Sequence, residues 1–159
     1  VRSISERSLV NAALFYLRRY SASRRRLAEV LERKAKRVLK EKGGDLAEAR
    51  ALIAQVVARM ETAGYVDDAR LAEAKRASLL RRGRGARAIR AALQKQGLAP
   101  EVVAGAARVT QEEELDAARA LVARRKLGRA AERRQKDLAV LLRAGFGYDV
   151  AKRALAAAG

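Results

Sequence analysis

Arg81, Arg82, Arg84, Arg87, Arg90 and Lys95 follow one another along this chain without a single intervening acid. A guanidinium offers a planar fork of donors that matches a phosphate or a carboxylate, so such a run is chemistry for a polyanion or an acidic surface. Two further strips have the same character. Lys34, Lys36, Arg37 and Lys40 lead to Lys42, and Arg124, Arg125, Lys126 and Arg129 lead to Arg133 and Arg134. A strip of charge is ordinarily just a solvated helix face. In the run from Arg81, however, no glutamate stands at helical spacing to neutralise it, which favours binding. Gly83 and Gly85 within that run are read as helix breakers rather than a phosphate cradle, since neither GxGxxG nor a Walker motif is present.

Catalytic chemistry is poorly provided for. There is no histidine and no cysteine, so a Cys/His zinc site and a histidine-activated nucleophile are both excluded. Glu112, Glu113, Glu114 and Asp116 are acidic enough for magnesium, but they stand at a helix start, where they offset the macrodipole. Asp67 and Asp68 are adjacent, so their side chains diverge, and capping is the better reading. No enzymatic activity, metal or cofactor is expected. Tyr16, Tyr65, Phe146 and Tyr148 stand singly near helix ends and read as packing residues, not as a platform for bases.

The whole chain repeats the message of the strips. Its 36 Lys and Arg against 18 Asp and Glu leave a formal net charge of +18, and a pI near 11.3 is itself a nucleic-acid footprint. No apolar run reaches membrane-spanning length, and the absence of cysteine is compatible with the cytoplasm, where this protein is expected.

Alanine and leucine dominate the apolar residues while aromatics are only 4 %, so the elements that position these side chains must be helices. Leu9, Ala13, Tyr16 and Leu17 mark a first helix over residues 6–19. Ser23 caps a second, which ends at Gly43 and Gly44, and a clean apolar stripe from Ala49 to Met60 marks a third over 45–63. Asp67 and Asp68 open a fourth, with Leu71, Ala74, Leu79 and Leu80, that runs to Gly83. A fifth carries Ile89 and Leu93 to Gly97, with Arg87, Arg90 and Gln94 on the opposite face. Pro100 suits the first turn of a short sixth. Thr110 and Glu113 have capping-box spacing at the head of a seventh that Gly128 ends or kinks. An eighth carries Leu138, Leu141 and Leu142 to Gly145, and a ninth carries Val150, Ala154 and Leu155.

These helices read as one three-helix unit used three times, with modules at 1–68, 69–108 and 109–159. Ile89, Leu93, Gly97, Leu98 and Val102 correspond to Leu138, Leu142, Gly145, Phe146 and Val150 if one residue slips before the glycine. A unit this small buries little surface alone, so neighbours must stack. The expected fold is all-α, with three tandem three-helix modules forming an elongated, curved chain and one basic patch in each, the form of a protein that tracks a helical polyanion.

Four stretches of this sequence resemble the RecX family. Gly64-Tyr65-Val66-Asp67-Asp68-Ala69-Arg70-Leu71-Ala72 is similar to the family's GYLDDERFA, and Arg82-Gly83-Arg84-Gly85-Ala86-Arg87-Ala88-Ile89 to its RGKGPRRI. Leu93 to Leu98 follows its L-x-x-K-G-I with one substitution, and Leu141 to Val150 resembles LLRRGFSYDVI. The likeness runs in order from about Ala12 to Ala158. Three departures stand out: Arg26 replaces the glutamate that closes a capping box with the serine at Ser23, the second helix of the first module is unusually long and basic, and Ala99 is a poor cap before Pro100.

The resemblance implies a regulator acting in homologous recombination, DNA repair and the SOS response. It would bind RecA recombinase and its filament on single-stranded DNA, and restrain filament growth, ATPase, strand exchange and coprotease activity. With the charge, it implies direct, weak nucleic-acid binding without sequence preference by a monomer that stays off membranes. A sequence-tolerant helical DNA-binding or architectural protein is the alternative, since short helices around tight turns also describe helix-turn-helix readers.

Overall fold

The computed structural model describes residues 4–158. Among them the chain forms helices only: α1 (Glu6–Leu17), α2 (Arg24–Lys42), α3 (Leu46–Thr62), α4 (Asp68–Arg81), α5 (Ala86–Lys95), α6 (Pro100–Ala106), α7 (Gln111–Arg125), α8 (Arg134–Arg143) and α9 (Tyr148–Ala156), with one 3₁₀ turn at Ala131–Arg133. The all-α expectation is met. The helices group into two compact units. One contains the residues up to Leu71 together with Gln96–Leu98, and the other contains Ala72–Lys95 and the residues from Ala99 onward.

In the first unit α1, α2 and α3 pack on one another around Leu9, Leu27, Leu31, Ile53, Val56 and Met60. Ser23 is fully buried at the head of α2, where its hydroxyl accepts from the Arg26 N–H at 3.1 Å and donates to the Gln96 carbonyl at 2.7 Å. Asp68 adds a further cap to the head of α2 by accepting from the Arg24 N–H at 3.0 Å. Asp67 meanwhile accepts from the Arg70 N–H at 3.0 Å and starts α4. The adjacent aspartates thus diverge to cap two different helices. At the end of α3, Gly64 takes a φ of +83°, and the Tyr65 N–H reaches back to the Met60 carbonyl at 2.9 Å, closing a Schellman motif. Val66 fills the apolar position behind it, so Tyr65 is left in solvent.

In the second unit α9 packs on α7 and α8 around Leu115, Leu121, Leu141, Phe146, Val150 and Leu155, while α5 and α6 pair through Ile89, Leu93 and Val103. The internal repeat holds without the expected slip. Counting back from the two left-handed glycines, Leu93 matches the buried Leu141, not Leu142, which is 36 % exposed. Ile89 then matches Asp137, a carboxylate only 4 % exposed that accepts from the Gly128 N–H at 2.9 Å. A hydrogen-bonded carboxylate stands where the first copy has an isoleucine, and looking for an apolar residue there forces the wrong register. Ala74 is also exposed rather than packed, and α4 buries only Ala72 fully. The seventh helix stops earlier than Gly128 suggests, because Lys126 itself adopts the left-handed conformation, with φ +56°.

Candidate nucleic-acid interface

Two short turns of the second unit meet backbone to backbone. The Gly85 N–H donates to the Ala144 carbonyl at 2.9 Å, and the Arg87 N–H donates to the Gly145 carbonyl at 3.2 Å. A Cβ on Gly85 would lie 2.5 Å from the Gly145 carbonyl, and one on Gly145, whose φ is +95°, would lie 2.5 Å from the Ala88 nitrogen. The Ala86 N–H is taken by Glu114 at 3.1 Å. Every one of these donors at the head of α5 is therefore spent on protein. These three amides are not free to cradle a phosphate, so the groups left here to meet an anion are side chains.

Those side chains converge. Gly83, with φ +73°, lets the turn between α4 and α5 lie flush on α7, since a Cβ there would sit 2.8 Å from that of Leu121. Arg124 reaches across and donates to the Arg82 carbonyl at 2.6 Å. The result is a cleft of about 160 Å³ walled by Arg82, Arg84, Arg124, Arg125 and Arg143, with Leu121, Val140 and Ala144 beneath and no carboxylate in its lining. At roughly 30 Å³ per water it holds about five, space that a phosphate group can take over. None of these arginines is in a salt bridge among the described residues. Like charges gathered in this way repel one another, and an anion between them relieves the cost.

The nearby acids do not intrude. Glu113 closes the capping box with Thr110 and accepts two bonds from Arg76, at 2.8 and 2.9 Å. The Thr110 N–H first, and Arg76 next, hold its carboxyl below the usual range. Among the described residues no group of three or more acidic, histidine or cysteine side chains is placed to hold a metal, and no helix is long and apolar enough to cross a membrane.

All the basic residues picked out in the sequence are exposed, and within each unit they fall as follows. Lys34, Lys36, Arg37 and Lys40 lie along α2, where Lys36 pairs with Glu32 at 2.9 Å. Arg81 ends α4, and Arg87, Arg90 and Lys95 lie on the outer face of α5, opposite the buried Ile89 and Leu93. Arg82, Arg84, Arg124 and Arg125 share the cleft. Lys126 and Arg129 instead line a second cavity of about 340 Å³, together with Arg119. The sequence reading missed Arg143 and Arg119 because they stand outside the runs of like charge, and only the packing of α8 and α7 brings them in. Of the aromatic residues, Phe146 is buried as expected, but Tyr65 and Tyr148 are 59 % and 55 % exposed, because Val66 and Phe146 take the core positions beside them.

A family model described as "RecX, second three-helix domain" matches residues 67–106. The Regulatory protein RecX of Myxococcus xanthus (strain DK1622) is 39 % identical over 163 residues, an alignment that covers 97 % of this chain and 87 % of the relative. The fold is similar to the crystal structure of RecX from Lactobacillus salivarius, with a TM-score of 0.72 over 96 % of each chain at 18 % identity. A second crystal structure of regulatory protein RecX gives 0.67 over 92 % of this chain and 70 % of that one, at 19 % identity. With that identity maintained over nearly its whole length, the chain belongs to the RecX family of regulatory proteins.

Proposed function

We propose that this protein is a non-enzymatic cytoplasmic regulator that binds RecA and its filament on single-stranded DNA, and that it holds nucleic-acid phosphates in the arginine cleft of its second unit. The regulatory reading is supported by membership of the family. The observation that carries the nucleic-acid part is the meeting of Arg82, Arg84, Arg124, Arg125 and Arg143 around one cavity free of acid. Such a site reads charge and not sequence, so binding is weak, indifferent to sequence and steeply dependent on salt. Arg81 at the end of α4 and Arg87, Arg90 and Lys95 along α5 extend it, while the α2 strip and the Lys126–Arg129 cavity are secondary contacts. The three-module division at 1–68, 69–108 and 109–159 belongs to the same proposal, supported by the strict repeat of α5–Gly97–α6 in α8–Gly145–α9. The protein acts as a monomer that contacts neighbouring recombinase protomers, so that individually weak contacts add through effective concentration.

ATP hydrolysis by growing and by preformed recombinase filaments, titrated with this protein, tests the reading. Suppression of ATPase, strand exchange and coprotease activity below one regulator per recombinase is expected, with no hydrolysis by the regulator itself. If equimolar protein leaves the filaments unchanged yet binds DNA, the architectural DNA-binding reading takes its place.

A further inference from the structure

At the opposite end of α8 from Arg143 lies a cavity of another kind. Arg134, Gln135, Leu138, Tyr148, Lys152 and Leu155 enclose about 220 Å³, and their exposed surface in it is mainly apolar. Tyr148 is 55 % exposed, and the Lys152 ammonium stands over its ring, 6.0 Å from the centroid. Tyrosine and lysine lie one helical turn apart on α9, Leu138 and Leu155 supply the apolar wall, and Arg134 supplies a second cation. No function described so far uses these residues.

We infer that this cavity stacks one unpaired nucleobase of a single-stranded nucleic acid. A mainly apolar cavity beside an exposed tyrosine accepts a base of any identity, because every base has a π-face. The flanking Arg134 and Lys152 suit the phosphates on either side of that base. A paired base is enclosed in its duplex and cannot enter. The ten-residue α8, about 15 Å long, separates this cavity from the arginine cleft, which takes residues from its opposite face. The inference rests on the nucleic-acid part of the proposed function and deepens it from a polyanion to a single strand.

Binding of the full chain to labelled oligothymidylate, to an abasic oligomer of equal length and to a duplex of equal length tests it. Wild-type protein is expected to hold oligothymidylate about tenfold more tightly than the abasic strand. Tyr148→Ala is expected to abolish that difference while leaving abasic affinity and the melting temperature unchanged, and Tyr148→Phe to retain it. Equal binding of the two strands by wild-type protein overturns the stacking site alone. Equal weakening of both by Tyr148→Ala also overturns it. If Tyr148→Ala loses recombinase inhibition but keeps both affinities, the cavity takes a protein side chain and the inference fails. If wild-type protein binds neither strand, the nucleic-acid reading falls as well.

Discussion

On α2, Arg25 and Arg26 lean on Glu29 at 3.1 and 3.6 Å, and Lys36 shares Glu32 with Arg50 of α3 at 2.9 and 2.8 Å. In the second unit Arg82, Arg84, Arg125 and Arg143 wall a common cleft with no carboxylate in it. Both regions are rich in basic residues, yet one spends part of its charge on internal pairs along a helix while the other concentrates it around a cavity. Exposed pairs of the first kind contribute little to stability. The second arrangement is costly to assemble, and its turns are built for it: three glycines, Gly83, Gly85 and Gly145, permit backbone approaches that no other residue fits. The comparison teaches that a count of charges along the chain says less about binding than where the turns direct them.

The largest expected effect separates the two regions by their glycines. Gly145→Ala sets a Cβ 2.5 Å from the Ala88 nitrogen at a positive φ, and is expected to cost about 3 kcal/mol. Gly64→Ala has the same sign of φ but open space around it, so about 1 kcal/mol is expected. Urea denaturation of the two variants checks this, and equal losses would mean that the Gly85–Gly145 contact has no special weight.

Buried polar anchors come next. Asp137→Ala frees the Gly128 N–H, and Ser23→Ala abandons both the Arg26 N–H and the Gln96 carbonyl, so each is expected to cost about 2 kcal/mol. Differential scanning calorimetry is the measurement. Asp137→Leu is the sharper variant. It restores the apolar residue that the other copy carries at Ile89, and if it recovers the loss, the position wants volume and not the hydrogen bond.

A smaller effect concerns pH. Bonds from Arg50 and Lys36 lower the Glu32 carboxyl to about 2. A depressed carboxyl contributes stability above its ordinary range near 4.5, and that contribution is lost as pH falls through about 2. Glu113 is lowered too, so the acid limb belongs to both units. Glu32→Gln should remove only part of it in melts recorded between those pH values, and an unaltered acid limb would show the α2 pairing to be inert.

Much of the fold was legible in the sequence because helix ends are local. Ser23, Gly64, Thr110 with Glu113, and Gly145 each mark a boundary through capping chemistry that involves only near neighbours. What escaped is non-local. Asp68 caps a helix far from it in sequence, Asp137 hides a carboxylate in an apolar register, and Lys126 ends α7 where glycine is the usual signal. The candidate site was half legible. Runs of arginine pointed to phosphates, but the run from Arg81 and the strip from Arg124 were read as separate patches, and the packing of turn, α7 and α8 unites parts of both with Arg143. Gly83 and Gly85 read correctly as something other than a cradle, though their actual role, close approach, depends on partners at Leu121 and Gly145 that no local pattern announces.

The central claim is that the cleft, and not basic charge in general, holds the phosphates. Its most direct test is the salt dependence of single-stranded DNA binding for two triple variants that each remove three positive charges. For Arg82→Ala, Arg84→Ala and Arg143→Ala together, the slope of log affinity against log salt should shrink by about 2, the loss of three phosphate contacts at ~0.7 each. Lys34→Ala, Arg37→Ala and Lys40→Ala together should change it by less than about half that amount. Equal changes in the two slopes would contradict the account and leave only diffuse attraction by a basic surface.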